Sequence, residues 1–120
     1  VSDPTIINTD RRGLRPIRRL AGRTALTVNS TLYECPQAKS ATIESIVICN
    51  TSASAVAFRL YHTTPTEPAA VATALFYDFS CAANGSTLVE FPLYLNAGEK
   101  LVVYAATGSV VTATIYGREA

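Results

Sequence analysis

Residues 109–116 read SVVTATIY, and the order of side chains in that octapeptide decides the fold class. Val111, Ala113 and Ile115 fall on one side of an extended chain, with Thr112, Thr114 and Tyr116 on the other. Successive side chains of a strand point to opposite faces, so this alternation describes a strand with one face buried and one open. The β-branched content suits a pleated surface and leaves a helix no stripe of its own.

Working outward, the same texture recurs at 24–28 (TALTV), 31–35 (TLYEC), 41–49 (ATIESIVIC), 54–62 (SAVAFRLYH), 73–80 (TALFYDFS), 87–95 (TLVEFPLYL) and 99–105 (EKLVVYA). Turn-rich spacers such as NTSA, TTPTEPAA, CAANGS, NAG and ATGS separate these runs. In 87–95, Val89, Phe91, Leu93 and Leu95 share a face opposite Glu90 and Tyr94. Pro92 cannot donate to a ladder, so that run belongs at a sheet edge or contains a bulge. The pattern predicts an all-β domain: a single antiparallel β-sandwich of about eight short strands, jelly-roll or Ig-like.

Upstream the texture changes. Residues 1–23 show neither a helical nor a strand period, and RRGLRPIRRL (11–20) places five arginines in ten residues. Residues 1–30 carry six arginines against Asp3 and Asp10, a balance of +4; residues 31–120 carry four basic and seven acidic side chains, a balance of −3. This segregation predicts an extended basic N-terminal arm over 1–28 and a sandwich over 29–120. The arm residues expected to bind a partner are Arg11, Arg12, Leu14, Arg15, Ile17, Arg18, Arg19, Leu20 and Arg23, with Leu26 as a further apolar anchor.

At 120 residues the chain suits one domain with a modest core. Charged residues make up only 16%, against roughly 25% in an average soluble domain, which suggests a surface partly covered by partners. No run approaches the roughly 18 apolar residues of a membrane span. The beginning of the chain lacks the apolar stretch of a secretory signal, so nothing directs it to secretion and reduced thiols are expected. Cys35, Cys49 and Cys81 contain no CxxC pair, so neither zinc nor a redox motif is expected; all three are read as free, Cys49 as a small buried hydrophobe. The sequons at Asn29, Asn50 and Asn84 are read as chance matches.

No catalytic, cofactor-binding or metal-ligating set emerges. His62, the one histidine, ends a strand and reads as a surface residue. The carboxylates are scattered, and Glu99 after NAG reads as solvating a strand start. The six tyrosines could form a stacking platform, but Lys39, Arg59, Lys100 and Arg118 lie in separate segments, so the tyrosines read as half-buried strand residues. The chain is expected not to be an enzyme.

Two stretches carry a resemblance. LYECPQAKSATIESIVICNTSASAVAFRLYH (32–62) and LNAGEKLVVYAATGSVVTATIYGRE (95–119) are similar to the opening and ending of small β-sandwich virion proteins of tailed bacteriophages. This chain has Cys35-Pro36-Gln37-Ala38 where that family favours a Val-Pro-Ala-Gly-like turn, and Glu99 in place of the usual Asp. The resemblance implies a structural virion protein, assembled in the host cytoplasm. A capsid cement or decoration protein fits best, strapped to the major capsid protein or other virion proteins by its arm and forming a homo-oligomer, a trimer. The alternatives are a neck, tail, baseplate or fibre position, and a nucleic-acid-binding β domain, which the acidic body argues against. A membrane anchor would need a helix that Gly13 and Pro16 disfavour.

Overall fold

The computed structural model describes residues 16–90 and 92–120. Nine strands are seen among them: β1 (Arg18–Thr24), β2 (Ser30–Glu34), β3 (Ala41–Asn50), β4 (Val56–Thr63), β5 (Ala74–Cys81), β6 (Gly85–Val89), β7 (Leu93–Leu95), β8 (Lys100–Ala105) and β9 (Val111–Glu119). They form two antiparallel sheets, ordered β1-β9-β3-β6 and β2-β8-β4-β5, with β7 also pairing with β3.

The pairings are nested. β1 pairs with β9, β2 with β8, β3 with β6 and β7, and β4 with β5. The chain is one long antiparallel ribbon, with β4–β5 at its tip, rolled up so that β9 also meets β3 and β8 meets β4. That is a jelly roll, one of the two sandwich arrangements the sequence allowed. The core lies between the sheets, where Phe58, Leu60, Leu101 and Val103 of one meet Ile43, Ile46, Ile48, Val111, Ala113 and Ile115 of the other, each at most 1% exposed. The alternation of SVVTATIY holds: its Val–Ala–Ile face is buried and its Thr–Thr–Tyr face is partly open.

Local chemistry sets the irregularities. In β3 a bulge between Ile43 and Ser45 lets Ile43 and Ile46 both point inward. Opposite it, Gly117 lies so close to the Thr42 carbonyl that a Cβ would overlap the oxygen. The expected strand 87–95 is split by Pro92 into β6 and β7, both on the β3 edge of the sheet.

Two readings need correction. TALTV is not a strand: Ala25 N–H donates to the Val111 carbonyl at 2.7 Å, and the Leu26 carbonyl accepts from Ala105 at 2.9 Å. Thr24 ends β1, and residues 25–28 carry the chain from one sheet to the other. The strand lies earlier, at Arg18–Thr24, within the segment expected as arm. Leu20 and Ala21 pack against the core, and a bulge between Arg19 and Ala21 turns both of them toward it. Period-two reading missed it because the bulge breaks the alternation. Second, Cys49 is on the open face of β3 and is half-buried, while Cys35 and Cys81 are the buried thiols; all three are free.

The turn after β2 holds a non-glycine residue in a left-handed conformation. Lys39 N–H closes it onto the Pro36 carbonyl at 3.3 Å, and Ala38 sits at φ 65°, in the left-handed region. A side chain there costs roughly 1–2 kcal/mol, which glycine avoids. Ala38→Gly should raise stability by about 1 kcal/mol in a urea melt. An unchanged or lower midpoint would count against the left-handed turn.

Candidate functional site

Of the expected partner-binding residues, Arg11, Arg12, Leu14 and Arg15 lie outside the described residues. The others run from just before β1 to its penultimate residue, along the terminal strand of its sheet. Ile17 is 52% exposed. Arg18 reaches Glu119 across the β1–β9 pair at 3.4 Å, and Arg23 donates to the Thr31 carbonyl at 3.3 Å. The Arg19 guanidinium lies back over Gly22. Leu20 packs against this chain's own core.

Glu119 joins the two sheets. It accepts a hydrogen bond from the Tyr33 hydroxyl of β2 while pairing with Arg18 of β1. Burial first, then that hydrogen bond, pushes the Tyr33 phenol well above its ordinary value. Pro16, Arg18, Lys39 and Glu119 enclose a small cavity of about 210 Å³ at this corner, where the chain enters the sheet.

The NAGE turn is not a solvated strand start. Glu99 Oε1 lies 2.8 Å from His62 Nε2 and accepts the Asn96 backbone N–H at 3.1 Å, while Gly98 at φ 81° donates to the Cys35 carbonyl at 2.9 Å. Burial opposes ionisation of Glu99, but His62 and the Asn96 N–H outweigh it, and the carboxyl is held below its ordinary value. His62 is thus one half of a turn-locking pair. Asn50, inside a sequon, is 1% exposed: its amide donates to the Ser54 and Cys81 carbonyls at 3.0 Å and accepts from Ser52 N–H at 2.9 Å. Its side chain locks the turn after β3 and cannot present itself to solvent.

The structure also brings together what the sequence held apart. A bulge at Asp78, φ 56°, turns Tyr77 and Asp78 of β5 toward Arg59 of β4. Arg59 forks onto Asp78 at 2.6 and 3.3 Å, with its guanidinium 4.1 Å from the Tyr77 ring centre and 4.7 Å from that of Tyr104. With Tyr61, Val28 and Val71, the side chains of Arg59, Tyr77 and Tyr104 line an open groove of about 620 Å³ on the outer face of the second sheet. The cross-strand register Arg59↔Tyr104 was the missing information. With Asp78 neutralising Arg59, the groove has no surplus positive charge to draw in phosphates. Among the described residues no cluster of His, Cys, Asp or Glu is arranged to hold a metal ion, and no helix is long and apolar enough to cross a membrane.

No family model matches the chain, and no curated protein matches it. Among solved structures it is similar to a chain from the structure of infectious bursal disease virus, Gx strain, with 15% identity and a TM-score of 0.38. That match covers 86% of this chain and 37% of the other, so this chain spans little more than a third of that chain's length. At this identity and TM-score nothing about function follows from the likeness. The tailed-phage resemblance likewise has no family match behind it.

Proposed function

We propose that this protein is a non-enzymatic structural component of a virus particle: a cement or decoration protein on the outside of a tailed-phage capsid. It docks on the major capsid protein through the basic segment that precedes and enters β1. The observation that carries the reading is the segregation of charge, +4 in residues 1–30 against −3 in residues 31–120, with the basic part leading into the terminal strand of a sheet. Arginine forks pair with carboxylates of a protein partner, and the second hydrogen-bonding edge of a terminal strand can accept an added strand. Jelly rolls serve viral coats, lectins and other proteins, so the fold agrees with the proposal without selecting it. Self-association belongs to the proposal too, and its symmetry depends on which face carries it.

The test uses particles and full-length chain. Arg11→Glu, Arg12→Glu and Arg15→Glu together remove the basic character without touching Arg18, which pairs with Glu119, or Leu20, which packs on the core. The expected result is a folded protein that no longer occupies particles, since charge-assisted hydrogen bonds at a desolvated contact contribute about 1.5–3 kcal/mol each. Normal occupancy by the triple variant would put docking on the sandwich instead. Localisation at a neck, tail or baseplate would move the same docking to another virion site. Tight DNA binding by the wild type at physiological salt would put the nucleic-acid reading in its place.

A further inference from the structure

The middle of the outer face of the β1-β9-β3-β6 sheet carries no charged residue, and the charges of that face gather toward its edges and one end. Two successive cross-strand rows, Gly22–Thr114–Val47–Leu88 and the row from Thr24 to Ser86, hold no acidic or basic residue, and only the Arg19 guanidinium reaches back over the Gly22 end of the first. Leu88 is 57% exposed, and Tyr94, on β7 of the same face, is 67% exposed. Charge stands toward the edges: Arg19 on β1, and Glu90, exposed just past β6 on the opposite side. Between them Arg118 reaches Glu44 at 3.3 Å, and its buried Nε finds no acceptor among the described residues.

We infer that this face docks a second copy of the same chain, face to face, about a two-fold axis that runs along the strands between β9 and β3. Such an axis lays β1 over the partner's β6 and β9 over the partner's β3. Arg19 then stands opposite the partner's Glu90, because both lie in the row through Tyr116 and Ser45. A two-fold axis across the strands would set Arg19 against the threonine end of β1 and leave both edge charges unmatched, so charge selects the first arrangement. Sheets stacked face to face keep their strands within about 30° of each other, which this axis permits.

The size of the face is adequate. β3 and β9 run for ten and nine residues, so the face measures about 30 Å by 20 Å, roughly 600 Å² per copy. Burying it twice gives about 1,200 Å², the lower end of specific interfaces. Face-to-face contact of one sheet closes with two copies and so takes the place of the trimer that the resemblance implies. The inference does not rest on the virion reading: it is tested on isolated protein, whereas docking is tested on particles.

The mass of the isolated chain in solution, followed from micromolar to roughly 100 µM, is the first measurement. The expected species at the upper end is a dimer, twice the 12.8 kDa of the chain. Leu88→Lys, at an exposed position, should be a folded monomer throughout. Arg19→Glu and Glu90→Arg should each weaken the dimer by about tenfold, and the two together should restore it, because the swapped charges meet again across the axis. Cys49 lies inside the contact, so thiol labelling of native protein should slow on dimerisation and speed up on dilution. A wild-type monomer or trimer, a dimer that survives Leu88→Lys, or a double swap without rescue would overturn the proposal.

Discussion

Gly117→Ala is expected to lose about 3–4 kcal/mol, a large part of the roughly 5–15 kcal/mol that holds a domain of this size. The added Cβ would overlap the Thr42 carbonyl oxygen and approach Ile43 Cα to 3.0 Å, and both are backbone atoms of the central strand. Neither can swing aside as a flexible side chain would. Relief requires β9 to draw away from β3, the pair that joins the two halves of the rolled ribbon. The midpoint of thermal unfolding should fall by about 10–20 °C. Gly108→Ala is the control: a Cβ there meets Thr27 atoms at 3.7 and 3.9 Å, ordinary contact, and should change stability by less than about 0.5 kcal/mol. If Gly117→Ala melted within a few degrees of the wild type, the close approach of β9 to the β3 bulge would be wrong.

The second large effect separates the basic segment from the strand it enters. Removal of residues 1–15 should leave the sandwich within about 0.5 kcal/mol of full length, since β1 begins at Arg18. Removal of residues 1–24 should cost about 3–5 kcal/mol. It takes away the packing of Leu20 and Ala21 and the ladder to β9, a side-chain burial of about 1.5–3 kcal/mol and several hydrogen bonds of about 0.5–1.5 kcal/mol net. It also leaves β9, nine residues long, as a bare edge prone to pairing with other chains. Urea unfolding and light scattering of the two truncations give the answer. A 25–120 fragment as stable and soluble as full length would show that β1 is dispensable and that the arm does extend to residue 24.

Much of the architecture is legible in order along the chain because burial between two sheets imposes a period of two. SVVTATIY, ATIESIVIC and EKLVVYA each declare an inward face, and each becomes a strand whose inward residues are buried. Pro92 announces an interruption at a sheet edge because proline has no N–H to give. Arg18–Thr24 stays hidden for the converse reason: a bulge destroys the alternation, and its seven residues include three arginines that mark it as solvent-facing. TALTV has the composition of a strand, but past Thr24 its backbone hydrogen bonds go to two different sheets.

What the sequence determined by itself is therefore an all-β sandwich with its positive charge gathered ahead of the body, since side-chain period and charge balance are local properties. The tertiary structure alone decided the jelly-roll order, because nested pairing joins residues as far apart as Arg18 and Gly117 and no local pattern encodes such partners. It also decided which side chains share a surface. Arg59 meets Tyr104, His62 meets Glu99, and Gly22, Thr114, Val47 and Leu88 line up across four strands only when register has been set. Register is a cross-strand property, fixed by bulges and by which faces must be buried together.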